Sequence, residues 1–448
     1  MLGIRRNRLV KMALASAVAV GLVAGGLIGC GKQPAAEQPK GGQAGTVVKL
    51  NYYFPVDAAG PLAKLMTEMV NDFNKSRGDI QVTPVYAGSY EETQAKAVAA
   101  SKSGSPPDVA VLLSTALYQL KDLGVIEPLN QFVDRDKDGK DYLNDFFPAL
   151  FMNARDGDTL WAVPFQRSTP VLYYNKDAFT KAGLDPSKPP KSWNELAEDA
   201  KRLTVRDPSG NTTQWGVEIP TYYWILQGFV IENGGQLMND DGSKALFNSP
   251  ATIAALKFWV DLQKQDKVMP SAAMPWKTVA TDFTSGRTAM IFHSTGSLVG
   301  FRTGAKFPVG VAFMPAKQDF GVPTGGGNLY VFKGLADDRK QAAWTFVRWM
   351  TAPEQAARWS IGSGYIAVRQ SAWDLPVMKE YTAKYPEALV GRDQLKYAKK
   401  EFATHELTRL WKIMDDSFAA VMTGSKTPEA GMQEAQKQAD EVLKPFQK

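Results

Sequence analysis

Between Pro61 and Asn74 the apolar residues Leu62, Leu65, Met66, Met69, Val70 and Phe73 recur at three- and four-residue intervals, the spacing of an amphipathic helix. On either side lie short runs of another kind. "VVKLNYYF" (47–54) and "IQVTPVY" (80–86) are rich in β-branched and aromatic residues and read as strands. "SYEETQAKAVAASKSG" then predicts a helix that starts at a Ser cap and stops at Gly104, and "PDVAVLL" a third strand. This β-α-β-α-β alternation predicts an α/β fold with a largely parallel sheet and helices on both faces. Ligands of such sheets bind beyond the carboxyl ends of the strands.

A second alternating block begins near "TPVLYYNKDAF" (169–179). It continues with "SWNELAEDAKRL", a helix with Ser192 and Glu195 at capping-box spacing. "TAMIFHS" and "VGVAFM" read as strands and "QAAWTFVRWM" as a helix, while His405 to Phe446 is mostly helical in pattern, interrupted at "TGSKTP". No internal repeat is visible.

The amino-terminal segment follows a different pattern. Arg5, Arg6, Arg8 and Lys11 precede a charge-free run from Met12 to Ile28, the layout of a secretory signal. The run is short and small-residue-rich for crossing about 30 Å of hydrocarbon. Leu27-Ile28-Gly29-Cys30 resembles the lipobox of bacterial lipoproteins, which implies that residues 1–29 are removed and that Cys30 carries lipid. Residues 30–46, rich in Gly, Pro, Gln and Ala, read as a flexible tether.

Removing the signal changes the charge. The formal +6 includes four positive and no negative charges from residues 1–29, so the body carries +2, and no nucleic-acid footprint is supported. Cys30 is the single cysteine, so disulfides and thiolate metal sites are excluded. From Val47 onward about 400 residues remain, more than one core normally serves, and two lobes are expected.

Enzyme signatures are scarce: there is no GxSxG elbow, no GxxxxGK[ST] loop, no HExxH, and only His293 and His405 for imidazole chemistry. Paired carboxylates remain available among 46 acidic residues, so a secreted, lipid-anchored carbohydrate hydrolase stands as the alternative reading.

"PFQRSTPVLYYNKDAFTKAGLDPSKPPKSWNEL" (164–196), "SKSGSPPDV", "FTSGRTAM" followed by "STGSL", "GGGNLYVF" and "GSGYIAVRQSAW" occur in the order found in a known family. The chain resembles the extracellular solute-binding proteins of carbohydrate ABC importers, most closely the branch that binds glycerol 3-phosphate. The resemblance implies a two-lobed periplasmic-binding-protein-like fold with a ligand cleft between the lobes. It assigns 47–165 and 296–356 to the first lobe, and 166–295 and 357–448 to the second. It also implies a monomer without catalysis or required cofactor, tethered by lipid to the extracytoplasmic face of a bacterial membrane. There it would deliver a sugar or polyol phosphate to the permease's transmembrane subunits.

Carried over position by position, the resemblance implies ligand contacts from Tyr90, Ser168, Trp224, Ser294, Gly325, Gly326 and Tyr365. Two positions depart from the pattern. Ser114 stands where the family has a Glu for the glycerol hydroxyls, and Ala403 stands at the phosphate-holding Arg, with Arg409 six residues later as the nearest candidate. Phosphate needs charge-assisted, preferably bidentate donors. Without one, a neutral sugar is at least as good a candidate.

"DRDKDGKDYLND" (134–145) is a separate signal. Asp134, Asp136, Asp138, the Lys140 carbonyl and Asp145 reproduce the ligand spacing of a calcium loop, which predicts a structural calcium site or, equally, a solvated acidic loop.

Overall fold

The structure, a computed structural model, describes residues 47–55 and 61–447. The signal, Cys30 and the tether expected for 1–46 lie outside them. Ten strands build the two principal sheets. In chain order they are β1 (Val48–Phe54), β2 (Ile80–Tyr86), β3 (Val109–Leu113), β4 (Val163–Ser168), β5 (Pro170–Asn175), β6 (Val205–Arg206), β7 (Thr212–Glu218), β8 (Thr288–Ser294), β9 (Val309–Ala312) and β10 (Gly325–Val331). The first sheet has the order β2-β1-β3-β10-β4 and the second β9-β5-β8-β7-β6.

The local readings are realised in detail. The Pro61–Ser76 helix buries Met66, Met69, Val70 and Phe73, the face the spacing predicts. The Tyr90–Lys102 helix starts at a complete capping box: Ser89 Oγ accepts from the Glu92 amide, and Glu92 Oε2 accepts from the Ser89 amide. At Ser192 only half of the box forms, because Glu195 Oε2 accepts from the Lys191 amide instead. The carboxyl-terminal helices, Leu407–Met422 and Pro428–Leu443, are separated at the expected break.

β1 is parallel to β2 and β3, as the alternation predicts. β10 is antiparallel to both β3 and β4, which makes the sheet mixed. β4 and β10 each connect directly to the other lobe, so no helical crossover fixes their direction.

Each sheet supports its own aromatic core. Phe346 packs edge-on against Tyr52 and Phe73 with ring centroids 5.0 Å apart in both pairs. In the second lobe Phe229 does the same against Trp259 and Phe292, at 5.3 and 5.0 Å.

Side-chain packing redraws the lobe boundaries. Leu298 and Phe301 pack with Tyr173, Phe283 and Ile291, and β9 pairs with β5, so the second lobe extends past 296 and the first resumes at β10. Trp359, Ile366, Trp373, Met378 and Leu395 then join the first core, and Phe402 returns the chain to the second. Strand pairing decides lobe membership, and pairing partners are remote in sequence.

The acidic segment 134–145 is built from side-chain ion pairs. Arg348 Nη1 donates to Asp136 Oδ2 at 2.6 Å, and its two terminal nitrogens grip Asp138 at 2.9 and 2.6 Å. Trp344 Nε1 also donates to Asp136, and Arg369 Nε donates to Asp145 Oδ2 at 2.7 Å. Gly139–Asn144 is helical, so Lys140 and Asp141 do not wrap a central point. Among the described residues no group of three or more His, Cys, Asp or Glu side chains is placed to hold a metal. Of the residues expected to hold calcium, Asp134, Asp136, Asp138, Lys140 and Asp145, three carboxylates, those of Asp136, Asp138 and Asp145, are instead paired with arginine guanidinium groups.

Thermal unfolding should be unchanged by calcium or chelator, whereas Arg348→Ala should cost about 1–3 kcal/mol by removing the guanidinium that Asp136 and Asp138 share. A calcium-dependent rise in the midpoint would contradict this.

Candidate functional site

β4 and β5 are consecutive in sequence, belong to different sheets, and are separated by Thr169 alone. Every residue of both strands is buried. The chain crosses between the lobes again at Thr324–Gly326, where Gly325 pairs with Ser168 and Gly326 with Arg167. Gly326 has φ +84°, and a Cβ there would lie 1.9 Å from the Gln166 carbonyl oxygen, so only glycine fits.

The site grows outward from this crossing. Trp224 lies on Gly325, where an added Cβ would sit 2.2 Å from the indole, and its Nε1 donates to the Thr324 carbonyl at 2.9 Å. Tyr90 lies against Gly327. Tyr365 is placed against Gly296, in a turn closed by Ser294 Oγ accepting from the Gly296 amide at 3.1 Å. Seven expected contacts, Tyr90, Ser168, Trp224, Ser294, Gly325, Gly326 and Tyr365, thus adjoin the crossings.

An aromatic wall extends from Trp224. Its ring centroid is 6.2 Å from that of Trp276, which is 5.5 Å from Tyr222 and 3.7 Å from His293. Burial pushes the His293 imidazole down to about 3, so it is neutral, with Nδ1 hydrogen-bonded to Ser297 Oγ.

The charged residues differ from the expectation. Arg409 is on the exposed face of its helix, 3.8 Å from Glu406, while Leu407, Leu410 and Met414 point inward. Helical phase carries it away from the crossing. Ser114 is buried at the carboxyl end of β3, and its Oγ donates to Glu401 Oε2 at 2.8 Å.

The Glu401 backbone is clamped from both lobes. Its amide donates to Asn153 Oδ1, and its carbonyl accepts from Asn153 Nδ2. Gln227 accepts from the Phe402 amide and donates to the Lys400 carbonyl on either side. Facing Glu401 is Arg167, fully buried, with Nη1 3.5 Å from the Gly326 carbonyl. Burial raises Glu401 to about 8, against the opposing pull of Arg167 and of the Ser114 and Tyr223 hydroxyls. Burial likewise lowers Arg167, opposed by Glu401.

Sequence reasoning passed over Arg167 and Glu401. The arginine had a signal, a cation inside the apolar run "VPFQRSTPVLYY". Glu401, in "YAKKEFATHE", had none, because only the fold turns it inward.

The raised carboxyl gives a signed pH effect. Between about 4.5 and 8 the folded protein keeps the Glu401 proton that the unfolded chain releases, so this group makes stability fall as pH rises. Glu218, also raised to about 8 by burial, acts in the same direction. Denaturant unfolding at pH 5 and pH 8 should show Glu401→Gln losing less stability than wild type, the difference reaching up to a few kcal/mol. Equal losses would contradict the placement.

Residues 68–387 match the model of a family described as bacterial extracellular solute-binding protein. The chain is 31% identical over 408 residues to the sn-glycerol-3-phosphate-binding periplasmic protein UgpB of Yersinia pseudotuberculosis, covering 87% of this chain and 91% of that protein. The structure of UgpB from Mycobacterium tuberculosis in complex with glycerophosphocholine superposes with a TM-score of 0.78 at 27% identity, over 88% of this chain and 98% of that one. The fold also matches the cyclic alpha-maltosyl-1,6-maltose binding protein of Arthrobacter globiformis, with a TM-score of 0.75 at 24% identity over 89% and 100% of the two chains. With two lobes exchanging strands around a polar and aromatic crossing, this chain belongs to the bacterial extracellular solute-binding protein family.

Proposed function

We propose that this protein is the solute-binding component of an ABC importer, capturing a carbohydrate or glycerol 3-phosphate-type solute reversibly between its lobes and delivering it to the permease. The observation that carries the reading is the gathering of Tyr90, Ser168, Trp224, Gly325 and Tyr365 at the crossings between two separately cored lobes. Few strands connect the lobes, so they can hinge while each core stays intact. Hydroxyls and amides there suit a polyol, and the Trp224 face suits its C–H surface. Reversible capture calls for moderate affinity, on the order of micromolar or about −8 kcal/mol.

Among the described residues no helix is long and apolar enough to cross a membrane. The attachment we propose is lipid on Cys30, with residues 31–46 as the tether. Two or more acyl chains hold stably where one is marginal.

Purified protein should release an intact sugar or glycerol phosphate on denaturation, and calorimetry against both classes should find a ligand; turnover of a glycoside would instead favour the hydrolase. Trp224→Ala should weaken the best ligand by about tenfold or more, given the apolar area an indole covers. Unchanged affinity would remove Trp224 from the site. Thiol labelling of mature, membrane-extracted protein should find no reactive Cys30, and stoichiometric labelling would refute the anchor.

A further inference from the structure

Beside Ser168, the most polar point of the crossing is a guanidinium with little to hold. Arg167 is fully buried, Nη1 has only the long 3.5 Å approach to the Gly326 carbonyl, and Nε and Nη2 have no hydrogen-bond partner. Nε and Nη2 form the side of the fork that accepts a two-oxygen anion. Elsewhere in this protein Arg339 uses that same edge on Asp108, at 2.8 Å from each nitrogen. A buried cation without a hydrogen-bonded anion is costly, so a fold that keeps one gains from a ligand that supplies it.

The surroundings are those of a binding site. Buried polar atoms of Gln166 and Thr324 are also unpartnered. Both residues adjoin the crossing: Gln166 pairs with Gly327, which Tyr90 touches, and Thr324 carries the carbonyl that accepts from Trp224, while Asn328 donates to Asn153, which clamps Glu401. Glu401 faces Arg167 without a hydrogen bond to it and is steered by Ser114.

We propose that Arg167 holds the anionic group of the solute through its Nε and Nη2 edge, and that Glu401, oriented by Ser114, takes a hydroxyl of the same solute. The chemical class is a small polyol bearing an oxyanion, such as a phosphate ester. The assignment rests on the receptor reading and narrows it. Burial raises the Glu401 carboxyl, which favours its neutral form and weakens its competition with the solute for the guanidinium. A neutral oligosaccharide would leave the Arg167 edge unmatched, at a cost in affinity.

Calorimetry of the purified mature protein with glycerol 3-phosphate and with maltose tests this. Wild type should bind glycerol 3-phosphate, and Arg167→Met, which keeps length and apolar bulk, should weaken it by about 30-fold or more. Arg167→Lys should fall between the two, since it keeps the charge and loses the fork. Binding by the Met variant within threefold of wild type overturns the assignment. Should the Met variant not fold, the Lys variant decides alone: about tenfold weakening supports the assignment, and a change within threefold overturns it. Wild type that binds maltose and not glycerol 3-phosphate also overturns it while leaving the receptor reading in place. Wild type that binds neither overturns it and counts against the receptor reading as well.

Discussion

The structure depends on how two sheets are joined with one residue, Thr169, between their strands. β4 and β5 are buried throughout, so every backbone group at the crossing must find a partner inside the protein. β10 supplies partners to β4, but only by bringing the Gly326 backbone so close to Gln166 that no side chain fits. Gln394 closes the other side, donating to Thr169 Oγ1 and the Pro170 carbonyl. A junction this tight fixes the positions of Arg167, Ser168, Thr324 and Gly325 at the crossing.

The same constraint explains why polar groups collect there. A sheet interior admits apolar side chains freely and charges only at a cost, yet Arg167 and Glu401 both lie fully or almost fully inside. Their burial disfavours the charged form of each, and the pair's attraction only partly offsets this. Away from the crossing, charges are handled differently. Asp136, Asp138 and Asp145 are matched by Arg348 and Arg369, which ties the acidic segment to the first lobe. One arrangement completes its ion pairs within the chain, and the other leaves a guanidinium edge facing polar groups from both lobes.

Local order was legible because its causes are local. The Ser89 capping box, the apolar face of Pro61–Ser76 and the break before Pro428 each depend on residues within a few positions. The seven positions that the resemblance implied as ligand contacts also adjoin the crossings, since their motifs accompany the strands and turns that form them. The readings that changed were those in which spacing stood in for three-dimensional proximity. Aspartates at calcium-loop intervals met arginines more than 200 residues away, and Arg409 was turned outward by the phase of its helix.

The sequence by itself determined the α/β character, the two-lobe expectation, the family resemblance and most of the crossing motifs, because periodicity, caps and glycine-rich turns act at short range. Tertiary structure alone decided which segments belong to which lobe and which charges meet at the crossing. Ser114 and Glu401 are 287 residues apart and meet at 2.8 Å, and Arg167 faces the same carboxyl from another strand. Such a cluster is assembled by strand pairing and by backbone clamps such as Asn153 and Gln227, whose partners no local pattern specifies.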